Sequence, residues 1–158
     1  RAALHAGERR FFATAVAFDD EMRARVAAHQ RDRGERFVTV EVPDALEEAL
    51  RDCAGASVVV IDCLTLWLTN LLLAGLSDAE IEARVEGLVA ALHAVPCEVL
   101  IVTNEVGMGI VPEHALARRF REIAGRAHQR LGREADELIF AQLGVLLRLR
   151  PAPIALVT

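Results

Sequence analysis

Short β-branched runs alternate with longer helical stretches along most of the chain. Residues 57–61 (SVVVI) and 98–103 (EVLIVT) are almost continuously apolar, as in strands covered on both faces. Residues 10–16 (RFFATAV) read as a strand as well, and residues 37–42 (FVTVEV) alternate with the period of two. A helix is predicted over 19–30, opened by Asp19, Asp20 and Glu21, because acidic side chains favour the positive end of the helix dipole. Pro43 and Asp44 start another that runs to Asp52. Two more follow over 64–74 and 77–94, the second with Ser77 and Glu80 in capping-box spacing. A long charged helix over 113–133 leads to strands at 137–141 and 145–150 that bracket Gly144. Pro151 and Pro153 break the chain before a last apolar run, 154–158 (IALVT).

This alternation predicts an α/β domain with a mainly parallel sheet, helices on both faces and a short antiparallel strand pair near the end. Binding sites in such sheets lie beyond the carboxyl ends of the strands, so Thr14, Asp62, Thr103 and Thr158 are expected along one rim.

Composition narrows the class. At 158 residues, 53% hydrophobic and a mean hydropathy of +0.29, the chain can bury a core as one domain. The apolar stretch over 64–76 is broken by Thr65, Thr69 and Asn70, too short and polar for a membrane span. Residues 1–10 contain no apolar signal-peptide core. A net charge of −5 argues against general nucleic-acid binding. Cys53, Cys63 and Cys97 lack C-x-x-C spacing, which points away from zinc and disulfide frameworks and toward reduced thiols in a cytoplasm. All 18 basic residues are arginine, so no phosphate-binding lysine is available.

Three features suggest chemistry. Asp62 ends the strand VVVID, where a P-loop NTPase keeps the carboxylate that organises magnesium; a helix N-cap role suits it equally. Asn104 and Glu105 open the loop TNEVGMGIVP (103–112) on the same rim, although a plain strand-to-helix connection would look similar. His29, followed by Arg31 and Arg33, sits near a helix end. A neutral imidazole can attack a nucleoside triphosphate at phosphorus while guanidiniums hold its oxygens, but a surface histidine fits the spacing too. His5, His93, His114 and His128 show no ligand spacing, Trp67, Leu68, Leu71 and Leu72 form an apolar helix face, and Arg118, Arg119, Arg121, Glu122 and Arg126 read as a solvated one.

In order along the chain, Ala13-Thr14-Ala15, Asp20-Glu21-Met22, Arg25, His29, Arg33, Thr39-Val40-Glu41, Asp62-Cys63-Leu64-Thr65-Leu66-Trp67, Asn70, TNEVGMGIVP, Arg118, Phe120-Arg121, Gly125, Gln129 and Ala135-Asp136 resemble one family. It is the bifunctional adenosylcobinamide kinase/adenosylcobinamide-phosphate guanylyltransferase family of cobalamin biosynthesis. The resemblance implies a P-loop NTPase-like (RecA-like) domain that phosphorylates adenosylcobinamide with ATP or GTP. It then implies transfer of GMP from GTP to the phosphorylated product through a covalent guanylyl-histidine, with Mg2+ as cofactor and Asp62 organising it. His29 matches the guanylylated histidine. Ala13, Thr14, Ala15, Gln30, Arg31, Asp32, Arg33, Glu41 and Asp62 match positions that contact the nucleotide. A cytoplasmic homotrimer is implied.

In that family a strand like 154–158 runs into a Gly-Gly-x-Arg-Ser-Gly-Lys-Ser loop that opens a helix beginning like residues 1–4. The resemblance therefore implies one nucleotide-binding transferase domain over 1–158, its phosphate-binding loop missing between Thr158 and Arg1. It also implies that 154–158 is a central strand of the parallel sheet. The same residues fit two other readings, another P-loop small-molecule kinase with an incidental His29, and a nucleotide-binding scaffold without turnover.

Overall fold

The computed structural model describes residues 2–4, 6–16 and 20–157, without the side chains of Leu4, Glu21, Met22, Arg25, Asp32 and Arg33. The expected positions Arg1, His5, Asp19 and Thr158 lie outside the described residues. A 3-10 turn (Ala2–Leu4) precedes β1 (Glu8–Ala13), α1 (Asp20–Arg33) and β2 (Val38–Glu41). Then come α2 (Leu46–Arg51), β3 (Ala56–Asp62), α3 (Leu64–Leu73), α4 (Asp78–Ala94) and β4 (Glu98–Val102). The chain continues as α5 (Ala115–Glu134), β5 (Leu138–Gln142), β6 (Val145–Arg150) and β7 (Ala155–Val157).

The first four strands form one parallel sheet in the order β2-β1-β3-β4. Alternation along β3 sends Val59 and Ile61 to one face and Val58 and Val60 to the other. The first pair joins Phe12, Leu46, Leu50, Trp67, Leu68, Leu71, Ile81, Leu88 and Ile123 in a core that takes in α2, α3, α4 and α5. The second pair forms a smaller cluster with Ala2 and Phe11, against which Phe37 and Leu100 pack. Trp67, fully buried, donates its indole N–H to the Asp44 carbonyl at 2.6 Å, so the largest core side chain satisfies its one polar group.

Several boundaries shift for local reasons. β1 stops at Ala13, because Thr14 turns its amide to the Asp62 carbonyl at 3.2 Å and its hydroxyl to Cys63. Residues 43–45 stay outside α2, where the Asp44 carbonyl accepts from Leu46, Trp67 and Arg84. The arginines of α5 are cross-links rather than a solvated face. Arg119 and Arg126 both pair with Asp78 at the start of α4, Arg126 reaches Glu82, and Arg130 reaches Glu86. Arg118 and Arg121 instead donate to carbonyls of the loop ahead of α5, those of Pro112 and Gly107.

The expectation for 154–158 is overturned. β7 pairs antiparallel with β6, at the edge of a separate sheet of order β5-β6-β7, not within the parallel sheet. Only residues 151–154 join β6 to β7. A connection that short returns a strand antiparallel, whereas a parallel crossover takes a dozen residues or more.

The capping box of α4 is complete. The Ser77 hydroxyl accepts from the Glu80 amide at 3.3 Å, and the Glu80 carboxylate accepts from the Ser77 amide at 2.7 Å. Ser77→Ala removes one of these bonds and should lower stability by about 1 kcal/mol, read as a lower denaturation midpoint with an unchanged slope.

Candidate functional site

Register fixes the candidate site. Ala13 lies opposite Glu41 on one side and Asp62 on the other, and Asp62 lies opposite Val102. The carboxyl ends of all four parallel strands therefore finish in one row, with Thr14, Val42, Cys63 and Thr103 just beyond it. Three of the anticipated residues, Ala13, Glu41 and Asp62, stand side by side in this row, and Thr14 follows directly.

Thr14 is fully buried, and its hydroxyl makes two 2.8 Å bonds to one residue, donating to the Cys63 carbonyl and accepting from the Cys63 amide. Cys63, not Asp62, occupies the N-cap of α3, and its side chain makes no cap bond. Asp62 is thus released from the capping role and keeps an exposed carboxylate at the strand end. Asn104 donates to the Thr65 hydroxyl at 2.9 Å, and Thr65 in turn contacts the Cys63 thiol at 3.0 Å. The root of the 103–112 loop is thereby tied to the turn that carries Asp62. Glu105 folds back onto the amide of Gly107. Beside the row, an open cleft of about 360 Å³ runs between β1, β2 and α2, lined by Arg10, Phe12, Val40, Glu41, Asp44 and Glu48 among others.

His29, Gln30 and Arg31 are exposed on α1, which extends to Arg33, so His29 sits a turn inside the helix rather than at its end. Among the described residues no hydrogen bond or ion pair joins these three to the row. The side chains of Asp32 and Arg33 lie outside the described set. No cluster of three His, Cys, Asp or Glu side chains suited to a metal occurs among the described residues, which leaves Asp62 as a single carboxylate. That donor set suits an ion held mostly by phosphate oxygens and water. No helix there is long and apolar enough to cross a membrane.

Reading residue types alone did not single out Asn70 and Thr65 as parts of this region. Their signal is present in α3, where LTLWLTNLLL places polar residues inside a helix that is otherwise apolar and mostly buried. His128 is satisfied, through a 2.7 Å bond between Nε2 and the Thr103 hydroxyl. Burial holds its imidazole below the usual range, and the carboxylate of Glu105 opposes that shift.

A sequence model of the family described as cobinamide kinase / cobinamide phosphate guanyltransferase matches residues 1–149. The chain is 40% identical over 153 residues to a protein of Escherichia coli K12 named bifunctional adenosylcobalamin biosynthesis protein CobU, covering 87% of this chain and 84% of that one. The Salmonella typhimurium LT2 protein of the same name gives the same identity and coverage. A Pseudomonas aeruginosa protein named bifunctional adenosylcobalamin biosynthesis protein CobP is 37% identical over 145 residues, covering 91% of this chain and 83% of its own.

Thr14→Val keeps the shape of the side chain but strands the Cys63 amide. The variant should lose about 1–3 kcal/mol of stability by denaturant titration, and Thr14→Ser, which retains the hydroxyl, should lose less. His128 should titrate below its ordinary 6.5 by NMR, and Glu105→Gln should lower it further by removing the opposing charge. Below 6.5 the unfolded chain binds a proton that folded His128 refuses. This contribution to stability is therefore complete above 6.5 and is lost as pH falls through the folded pKa.

Proposed function

Because the chain belongs to the cobinamide kinase / cobinamide phosphate guanyltransferase family, we propose that it phosphorylates adenosylcobinamide and then guanylylates the phosphate, with nucleotide bound across the strand-end row. The row itself carries this reading. Glu41, Ala13 and Asp62 are separate in sequence yet adjacent in register, at the edge where α/β sheets bind ligands. Glu41 lines the cleft beside β2, where a carboxylate can accept the N–H groups of a guanine edge. ATP or GTP serves the kinase step, and GTP the guanylyl step.

In the guanylyl step the His29 imidazole attacks the α-phosphorus of GTP. A P–N bond forms, the α–β P–O bond breaks and pyrophosphate leaves. The phosphate of adenosylcobinamide phosphate then attacks the same phosphorus, the P–N bond breaks, and His29 is regenerated. Gln30, Arg31, Asp32 and Arg33 continue the helix past His29, and guanidiniums there can hold phosphate oxygens bidentately. Transfer requires the His29 imidazole, exposed on α1, to reach the α-phosphorus of a nucleotide at the row. Mg2+, when bound with the nucleotide, supplies charge neutralisation on the phosphates, with Asp62 as its protein carboxylate. Asn104 and Glu105 line the same rim.

The protein is proposed to act in the cytoplasm as a homotrimer. Exposed Ile139, Leu146, Leu149 and Leu156 on the β5-β6-β7 sheet, with Met108, Ile110 and Val111 on the loop before α5, support a partner copy covering apolar surface.

Incubating the full-length protein with GTP and Mg2+ should add one GMP to His29, located by peptide mass spectrometry at neutral or alkaline pH. His29→Ala should abolish guanylyl transfer and leave phosphorylation of adenosylcobinamide intact. Equal loss of both activities, or a GMP adduct on another residue, contradicts the assignment.

A further inference from the structure

One side chain of α3 reaches across the strand-end row. Asn70 Nδ2 donates to the Thr14 carbonyl and to the Pro43 carbonyl, each at 2.8 Å. The two acceptors follow different strands, Thr14 after β1 and Pro43 after β2. Asn70 stands on α3, which follows Asp62 after the single residue Cys63, so one amide connects the exits of β1 and β2 to the element leaving β3.

Neighbouring bonds define what the amide adds. Thr14 is held to Cys63 by its hydroxyl, and Val42 donates to the Ala13 carbonyl at 2.8 Å. Those contacts fix β1 against β3 and β2 against β1 near the sheet. Past the sheet, the Pro43 carbonyl is joined to the Thr14 carbonyl through Asn70. Two carbonyl oxygens cannot bond each other and need a donor between them. A terminal NH₂ has two hydrogens on one atom, and both are used here. Aspartate has the same shape but no donor when ionised, and leucine has neither donor nor acceptor.

We infer that Asn70 is a positioning residue for nucleotide transfer, holding Thr14, Glu41 and Asp62 in one fixed relation at the strand-end row. The inference rests on the proposed transferase reading. Asn70 touches no reacting atom in this scheme. It acts through the backbone exits that carry the nucleotide-facing residues and, on the Thr14 side, through the segment leading to α1 and His29.

The test compares full-length wild type, Asn70→Asp, Asn70→Ala and the remote Ser77→Ala, which lowers stability without touching the row. Two readings are taken, the rate of GMP loading on His29 at saturating GTP and hydrogen exchange by mass spectrometry. The Asn70 variants should load GMP about 10- to 100-fold more slowly, the scale expected when reacting groups are displaced by an ångström or less. Exchange should rise together in segments 10–16 and 40–46, and stay unchanged in α4 and α5. Ser77→Ala should load at the wild-type rate. Wild-type loading by the Asn70 variants, exchange rising in neither or only one segment, or an equal slowing in Ser77→Ala overturns the positioning role alone. Absence of GMP on wild-type His29 overturns the transferase reading, and the role of Asn70 in that transfer falls with it.

Discussion

Two hydrogen bonds between the hydroxyl of Thr14 and the backbone of Cys63 govern where the candidate site can exist. They join the exits of two neighbouring parallel strands at a point with no access to solvent. Elsewhere in the sheet a pairing error of one residue would be opposed by the apolar faces. At this joint it is opposed by an unsatisfied amide as well. Once β1 and β3 are locked there, Asp62 is set beside Ala13, and the Val42 amide on the Ala13 carbonyl sets Glu41 on the other side. The exposed carboxylate of Asp62 follows from the same turn, since Cys63 takes the N-cap and leaves the acid outside the helix.

Support for the row comes from the opposite direction as well. Trp67, Asn70 and Arg84 all donate to carbonyls of residues 43–44, so the connection after β2 is pinned by α3 and α4 instead of lying free on the surface. Arg84 also pairs with the buried carboxylate of Glu47 in α2. A connection this constrained holds the end of β2, with Glu41, in place, so the proposed nucleotide site would need little ordering there.

The parallel sheet was legible in the chain because β3 and β4 are almost continuously apolar and β2 alternates. The α4 start was legible because Ser77 and Glu80 form a local signal. The run IALVT departs from the central parallel strand that the family resemblance implies. Its composition fits a strand buried on both faces, but composition does not encode a partner, and four residues of connection decide for antiparallel pairing with β6. The arginines of α5 looked like a solvent face since their acidic partners, Asp78, Glu82 and Glu86, are a whole strand and loop away in sequence. At the site, Asp62 stood out by ending an apolar strand. Asn70 could be noted only as a polar break in an apolar helix, because its two acceptors become neighbours only after the sheet has formed.

That separation along the chain orders events in folding. The bonds of the row close long stretches of polypeptide, 49 residues between Thr14 and Cys63 and 56 between Thr14 and Asn70. The cap of α4 and the bond from Thr69 back to the Thr65 carbonyl close turns of 3 and 4 residues. Local turns form on the timescale of single helices, whereas contacts of high sequence separation wait for loop closure. The helices can therefore form before the row does. A refolding chain of this design would recover helical circular dichroism ahead of the row, so the early signal would overstate how much of the site has formed.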